Sequence, residues 1–511
     1  MKFFDEQIKI KNVKKSKFDL SHEVKLSCNM GELIPVLVED VMPGDSYRCN
    51  TEVFARLAPM IAPLMHRVNF YIHTFAVPMR LLMPGGEWER LIAGNQTGDN
   101  RPAPVIPQIQ LGVAANIDYC KAGKLLDYLG IPTTESSAFA PNPIEVSSLP
   151  IHAYHLIYDE YYRDQDLELA GRHKSELDVF YNTRKRAWEK DYFTSARPFA
   201  QKGGAVTIPF EYSPISEVYN ESGGPAPVNT LVGTNGADGS QMMVGKTDFQ
   251  TGGTLGRIEN IEALASINEF REANALQRFL EKLARSGNRY VEYIKMIFNK
   301  KSPDARLQRP EYLGGGRIPV VISEVLSTYD NTTGGLPQGN MSGHGLAVGN
   351  TSTWSKEFDE HCYVISLLSI LPRTGYQQGV RKHWFRKDQL DWPIPDFAHL
   401  GEQEVKNKEL YYDYTEADPN IAEQTFGYQS RYSECKFRNS TSHGDFKTSL
   451  LFYHMDRVFS SRPALNKEFV QSDPTTRIFA IVDPDVHHVW INMHHSMSAI
   501  RPLPYNGIPT L

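Results

Sequence analysis

Three groupings of side chains in this sequence could do chemistry. The first interleaves bases with aromatics. In 381-RKHWFRK-387, Arg381, Lys382, Arg386 and Lys387 flank His383 and Trp384. Cations that track phosphates, next to a ring that stacks an unpaired base, are the two parts of a single-stranded nucleic-acid contact. Arg184, Lys185 and Arg186 ahead of Trp188 have the same make-up, and Lys9, Lys11, Lys14, Lys15 and Lys17 form a third basic cluster near the start. The competing reading of each run is a solvated face or a set of subunit salt bridges. The second grouping is 302-SPDARLQRPEYLGGGR-317. A phosphate-gripping loop needs a Lys-Ser/Thr pair after its last glycine, but here Gly316 is followed by Arg317, Ile318 and Pro319. Pro303 and Pro310 impose extended backbone, the glycines permit close approach, and Arg306, Arg309 and Arg317 offer forks for carboxylates or phosphates of another chain. The third is 487-HHVWINMHH-495. On a strand, His488 and His494 share one face, and six residues hold them roughly 20 Å apart, too far to ligate one ion. No metal ligands are assigned, and these histidines read as solvated or interface groups.

No enzyme emerges. Asp159/Glu160 and Asp483/Asp485 are acidic pairs with no spacing that fixes their separation, and neither G-x-S-x-G nor H-E-x-x-H occurs. No catalytic residue and no cofactor is assigned.

The elements that must carry these groups are mostly strands. Period-two or continuous apolar runs recur at 33–41, 68–77, 318–326, 362–371, 448–455, 478–483 and 488–495, separated by turn residues such as 42-MPGD-45 and 483-DPD-485. Helices are local. Residues 266–287 carry a capping box, Ser266 and Glu269, and an apolar stripe of Ile267, Phe270, Leu276, Leu280 and Leu283, with Gly287 where a left-handed residue closes a helix. Shorter helices are expected at 289–298, 153–164 and 124–130. Strands this far apart in sequence, with few helices, imply an all-β sandwich. Residues 221–256 interrupt it with nine glycines and few charges, and read as a surface loop with a role of its own.

Bulk properties narrow the class. The 511 residues carry a net charge of −6, so nucleic acid is met through a local patch or with a basic helper. Five scattered cysteines without a CxxC argue for reduced thiols. The start lacks a signal-peptide core, and the longest apolar run is half of a membrane span, which points to a protein made in a cytoplasm.

Six stretches, in order and nearly end to end, resemble one family: 18-FDLSHEVKLSCNMGELIPV-36 with 56-RLAPMIAPLMHRVNFYIHTFAVP-78; 154-YHLIYDEYYRDQDL-167; 188-WEKDYFTSARPFAQKG-203; 302-SPDARLQRPEYLGGGR-317; 376-YQQG-379 with 397-FAHLGEQ-403; and 426-FGYQSRY-432 with 462-RPALN-466. They are similar to the major capsid proteins of Microviridae, the small single-stranded-DNA bacteriophages, and most of all to the gokushovirus-like branch. The resemblance implies a viral jelly roll, an eight-stranded antiparallel β-sandwich with long loop insertions and a few short helices. It divides the chain into a basic arm at 1–17 and one capsid domain at 18–511, with the Gly-rich loop at about 221–256 and a helical insertion at about 261–299. It implies a non-enzymatic coat protein that self-assembles into a T=1 icosahedral shell of 60 subunits around circular single-stranded DNA. The virion would form in the host bacterial cytoplasm.

The further partners implied are a small basic DNA-binding or packaging protein, a scaffolding protein and a host-cell receptor, with no stable membrane insertion. Lys9, Lys11, Lys14, Lys15, Lys17, Arg381, Lys382, Trp384, Arg386 and Lys387 are the expected inner DNA-binding face. Gly223, Gly224, Asn235, Gly236, Asp238 and Gly239 are the expected host-attachment loop, gathered at the threefold axes. The alternative is a carbohydrate-binding β-sandwich, which would be monomeric and would leave the Lys-rich start unexplained.

Overall fold

A computed structural model describes residues 14–94, 102, 104–135, 143–204, 206, 218–219, 225–226, 257–258, 267–326, 341–483 and 485–506. The chain divides into two compact units, Met1–Ala200 with Gly287–Leu511, and Gln201–Ser286.

Thirteen strands of the larger unit matter here: β1 (Ser16–Asp19), β2 (His22–Cys28), β3 (Glu32–Val41), β4 (Ser46–Leu57), β5 (Val68–Pro78), β6 (Glu311–Pro319), β7 (Val321–Leu326), β8 (Met341–Asn350), β9 (Trp354–Glu357), β10 (Cys362–Pro372), β11 (Glu402–Lys406), β12 (Thr425–Ser430) and β13 (Val489–Arg501). In the first sheet β1 and β2 lie end to end along β13. Then come β4, β8 with β9, and β7 at the far edge. The second sheet runs β6-β5-β10-β3, and Arg184–Lys185 adds to β3 at Glu32 and Leu33. Every pairing named in these two sheets is antiparallel.

Alternation explains the first sheet. Along β4, Tyr47, Cys49, Thr51, Val53, Ala55 and Leu57 are buried, while Arg48, Glu52, Phe54 and Arg56 stay exposed. One face is core and the other is wet. The second sheet is covered on both sides, so β10 reads as a near-continuous apolar run, interrupted by the buried Ser366 and Ser369. Val364, Leu368 and Ile370 of β10 pack toward the first sheet, while Ile365 and Leu367 pack against α1 (Leu149–Ile157) and its neighbours.

The glycine triplet lies inside β6. Gly315 and Gly316 pair with His73 and Ile72 of β5, just past a bulge at Tyr312/Gly314. A Cβ on Gly315 would sit 2.3 Å from the Ile72 carbonyl oxygen, and one on Gly316 would sit 3.0 Å from Thr351 Cα. The glycines therefore admit close backbone packing. Arg309, expected to reach another chain, is used within this one. Its guanidinium lies 4.2 Å over the Tyr161 ring and 3.5 Å from Asp304.

Two expected strands are absent. In 448–455, Leu450 N–H and Thr448 N–H both bond to the Asp445 carbonyl, and Leu451–Tyr453 turns as a 3-10 helix. Arg477 donates to the Leu451 and His454 carbonyls, so those acceptors serve a side chain instead of a ladder. In 478–483, adjacent Ile478 and Phe479 enter the same core cluster, whereas neighbours on a strand point to opposite faces, and one bridge to Met60 is all that pairs there among the described residues.

The histidine reading also needs correction. His495 is fully buried on the core face of β13. Its Nε2–H donates to the Val36 carbonyl at 3.1 Å, so Nδ1 accepts from Thr51 Oγ1 at 2.9 Å. His488 is buried too, stacked 4.5 Å from Phe479 and bonded to the Ile481 carbonyl. Both rings tie elements together, where solvated or interface groups were expected.

In the smaller unit, Val218–Tyr219 pairs with Pro225–Ala226 and with Arg257–Ile258. Helix α2 (Ile267–Ser286) follows, and Gly287 ends it at φ +96°. The expected cap Ser266 lies outside the described residues. Ile267, Phe270 and Leu276 of the apolar stripe are exposed. Helix α3 (Tyr290–Phe298) comes next, in the larger unit.

Candidate nucleic-acid interface

The 381–387 run projects from a docked base. Ahead of it, Tyr376 is buried beside Phe193, and Gly379 lies against the Glu409 backbone, where a Cβ would meet the carbonyl oxygen. The Val380 amide bonds to the Lys408 carbonyl at 2.9 Å. The chain then turns once as a 3-10 helix at Lys382–Phe385. Trp384 is 73% exposed, touching only the His383 ring among described aromatics. Arg381 and Lys387 are exposed and form no ion pair among the described residues.

The other two cations are partly held. Lys382 Nζ donates to the Glu404 carbonyl at 3.1 Å. Arg386 lies 4.9 Å from the Trp392 ring centre and 3.8 Å from Glu434. The acid Asp391 is exposed beside the run but is held by its backbone. It accepts the backbone N–H groups of Lys387 and Asp388, which hold its carboxyl below the usual range. The proton affinity of His383 is lowered by desolvation and then by Arg381, Arg386 and Arg438, so its charged neighbours are all cations.

Beside the run lies a groove of about 710 Å³ lined by both signs of charge. Lys382, Arg386, Lys387, Lys406, Lys408 and Arg462 line it together with Asp391, Glu409, Asp413, Glu416, Asp418 and Glu423. Lys406 and Lys408 both pair with Glu423, and Arg462 pairs with Glu416 at 2.7 Å, so those two acids are compensated within the groove. Lys408 also caps the Phe385 ring at 3.9 Å. Sequence reading missed Trp392, Tyr412 and Tyr414 as exposed rings of this region. The Tyr-rich string 411-YYDY-414 was the available signal.

Of the N-terminal cluster, Lys14, Lys15 and Lys17 are described. Lys9 and Lys11 lie outside the described residues. Lys15 is 3.3 Å from Glu357, and Lys17 is exposed on β1, opposite Ile500 of β13. No hydrogen bond, ion pair or ring contact joins Lys14, Lys15 or Lys17 to the 381–387 run among the described residues. The Arg184–Lys185–Arg186 run is used mostly within the fold. Arg184 is buried, Lys185 reaches Asp473 at 2.5 Å, Arg186 donates to Ser369 Oγ at 2.8 Å, and Trp188 is buried. Gly223, Gly224, Asn235, Gly236, Asp238 and Gly239 lie outside the described residues. Among the described residues no group of three His, Cys, Asp or Glu could hold a metal ion.

A model of the family described as "Capsid protein (F protein)" matches residues 6–511. The chain belongs to that capsid family. It is 34% identical to capsid protein VP1 of Bdellovibrio phage phiMH2K, over 98% of this chain and 96% of that protein. VP1 of Chlamydia phage 1 is 32% identical with the same coverage, and VP1 of Spiroplasma virus 4 is 28% identical, again over 98% and 96%. The chain is therefore a structural major capsid protein of the Microviridae type, found in the virion, and not an enzyme. Assembly with other capsid subunits into a shell follows from that membership. No helix among the described residues is long and apolar enough to cross a membrane. For a capsid protein, the exposed Arg381–Trp384–Lys387 group is a surface that the subunit's own fold leaves open.

Proposed function

We propose that this capsid protein is a jelly roll that closes a T=1 shell of 60 copies around circular single-stranded DNA, with Arg381, Trp384 and Lys387 among its DNA contacts. Strand order supports the jelly roll. Take β2, β3, β4, β5, β6, β8, β10 and β13 in chain order. The first sheet then uses the first, eighth, third and sixth of them, and the second sheet uses the second, seventh, fourth and fifth. That interleaving arises when a long antiparallel hairpin is rolled up, which is how a jelly roll is wound.

The observation that carries the DNA contact is the pairing of free cations with a bare indole. Among the described residues Arg381 and Lys387 form no ion pair, and Trp384 is 73% exposed. Lys382 and Arg386 support the loop and add charge to it. Lys14 and Lys17, with Lys9, Lys11 and Lys15, are proposed as a second inner patch. At a net charge of −6 the subunit cannot neutralise a genome by itself, so a small basic packaging protein is part of the proposal, as is a scaffolding protein during assembly. The Gly-rich segment about Gly223, Gly224, Asn235, Gly236, Asp238 and Gly239 is proposed as the outer loop that meets a host receptor.

Electron micrographs of particles from the natural source, with nuclease digestion before DNA extraction, test the whole reading. Uniform icosahedral particles with protected circular single-stranded DNA are expected. Open sheets, small oligomers or digestible DNA would overturn it.

A further inference from the structure

We infer that β7 is a self-pairing strand. In the shell it adds antiparallel to β7 of a second copy, about a twofold axis through Ser323, and so continues the first sheet across the subunit boundary.

The starting observation is a sheet edge with no strand partner among the described residues. β7 pairs with β8 from Val321↔Leu346 to Leu326↔Met341 without a register shift, and no described strand pairs its other side. Alternate backbone N–H and C=O groups along that side therefore have no ladder partner among the described residues. Edge strands of monomeric proteins are usually blunted by Lys, Pro, a bulge or short length. The six residues VISEVL have no Lys, Pro or bulge. Val321, Val325 and Leu326 are each more than half exposed. What fits such an edge is another β-strand, because only a strand answers its row of donors and acceptors.

The occupant follows from the family and from the one charge on the strand. The neighbours of a capsid subunit are copies of itself, and a contact about a twofold axis must be complementary to itself. Opposed residues of an antiparallel pair point to the same face, so a twofold contact has to centre on a residue. Centred on Glu324, it would set two carboxylates against each other, which is unfavourable. Centred on Ser323, it opposes the two serines, sets Val321 against Val325 of the partner subunit twice, and places Glu324 opposite Ile322 of the partner subunit. Val321, Ser323 and Val325 share the face away from the core, whereas Ile322 packs against it. The outer face of the joined sheets would then carry four valines around a serine pair.

The inference rests on the closed icosahedral reading, which supplies the twofold axes, and the test separates the two. Ser323→Cys is assembled into particles, checked by micrography, oxidised and run on a non-reducing gel. Opposed Cα atoms about 4.5–5.5 Å apart lie inside the range a disulfide spans. Ser323→Cys particles are expected to give covalent dimers as the main product. Val321→Cys or Val325→Cys alone should stay monomeric, and the two combined in one chain should cross-link. The unchanged chain reports the background from its own cysteines, of which Cys435 is exposed.

Intact particles in which Ser323→Cys remains monomeric, or in which Val321→Cys dimerises equally well, would overturn the proposal and leave the shell standing. Absence of particles from the unchanged chain would remove the shell reading first. Where the cysteine variants fail to assemble, hydrogen exchange on unchanged particles decides. The 321–326 amides should gain at least about tenfold protection over dissociated subunits, and no gain there refutes the pairing.

Discussion

Two segments of this chain are almost the same in composition and opposite in use. Both 184-RKRAW-188 and 381-RKHWFRK-387 set cations ahead of a tryptophan. In the first, Arg184, Arg186 and Trp188 are consumed by the fold. Arg184 lies 4.1 Å over the Tyr158 ring and donates to Glu168 at 2.8 Å, Arg186 lies 4.4 Å over Tyr71, and Trp188 packs beside Arg457. In the second, Arg381, Trp384 and Lys387 face solvent. The lesson concerns partners, since a cation and a ring become a binding surface only where no internal carboxylate or second ring has claimed them. Desolvated, paired cations are structural, and unpaired exposed ones remain available.

The largest effect should come from breaking the first segment. Arg184→Met leaves the Glu168 carboxylate, 2% exposed in its side chain, with Tyr158, the more distant Arg172 at 3.6 Å and Lys467 at 3.2 Å. Removing one partner of a buried pair costs roughly 3–5 kcal/mol, because the other charge stays buried. Chemical denaturation of the dissociated subunit should show that loss, and particle yield should fall with it. A loss below about 1 kcal/mol would mean that Arg184 is no more committed than a surface base. Lys185, whose partner Asp473 is 81% exposed, supplies the internal control and should lose at most about 1 kcal/mol on substitution by Ala.

Nothing in the sequence separates the two segments. The partners of the first lie 16 residues away for Glu168 and 288 for Asp473, distances that only the fold closes. Much else was legible. The runs at 33–41, 68–77, 362–371 and 488–495 became β3, β5, β10 and the start of β13, because alternation and apolar density report burial directly. The runs at 448–455 and 478–483 failed for a non-local reason. Arg477 takes the carbonyls of the one, and in the other two adjacent apolar side chains plug the core together. The helix at 267–286 was legible from its period, but the period does not say what its apolar stripe faces, and Ile267, Phe270 and Leu276 are exposed. The exposed rings of Trp392 and Tyr414 were missed because exposure of an aromatic is a property of the whole surface.

A second prediction extends the comparison to pH, because histidine is a cation the fold can refuse. Burial pushes His495 down to about 4, and likewise His73 and His173. Each is neutral in the folded chain, while the unfolded chain takes up the proton below about 6.5. The sign is therefore fixed. This stability is complete above pH 6.5 and is lost as pH falls from there toward 4, by up to about 1.4 kcal/mol per pH unit for each histidine. Denaturation of the subunit between pH 7.5 and 4.5 should show that slope. His495→Gln, which can keep one bond to Val36 or Thr51, should lower stability at pH 7.5 but flatten the decline. An unchanged slope would show that His495 does not resist protonation.

The smallest effect on folding, and the sharpest on function, belongs to the second segment. Arg381, Trp384 and Lys387 hold no part of the core, so the triple alanine variant should unfold within about 0.5 kcal/mol of the unchanged chain. Its binding to a single-stranded oligonucleotide should separate into two terms. Trp384→Ala alone should weaken binding by roughly 1–3 kcal/mol at every salt concentration, since stacking releases no counterions. Arg381→Ala with Lys387→Ala should leave that stacking term in place and reduce the salt slope by about 1.4, the share of two phosphate contacts on a single strand. Both terms can be read from one titration series of dissociated subunits. If the slope does not move while Trp384→Ala still weakens binding, the ring contacts a base and the phosphates are held by other cations, with Lys14 and Lys17 the first to replace. If neither moves, the open segment serves a neighbouring subunit, and its cations then differ from those at 184–186 only in pairing across a boundary instead of within the chain.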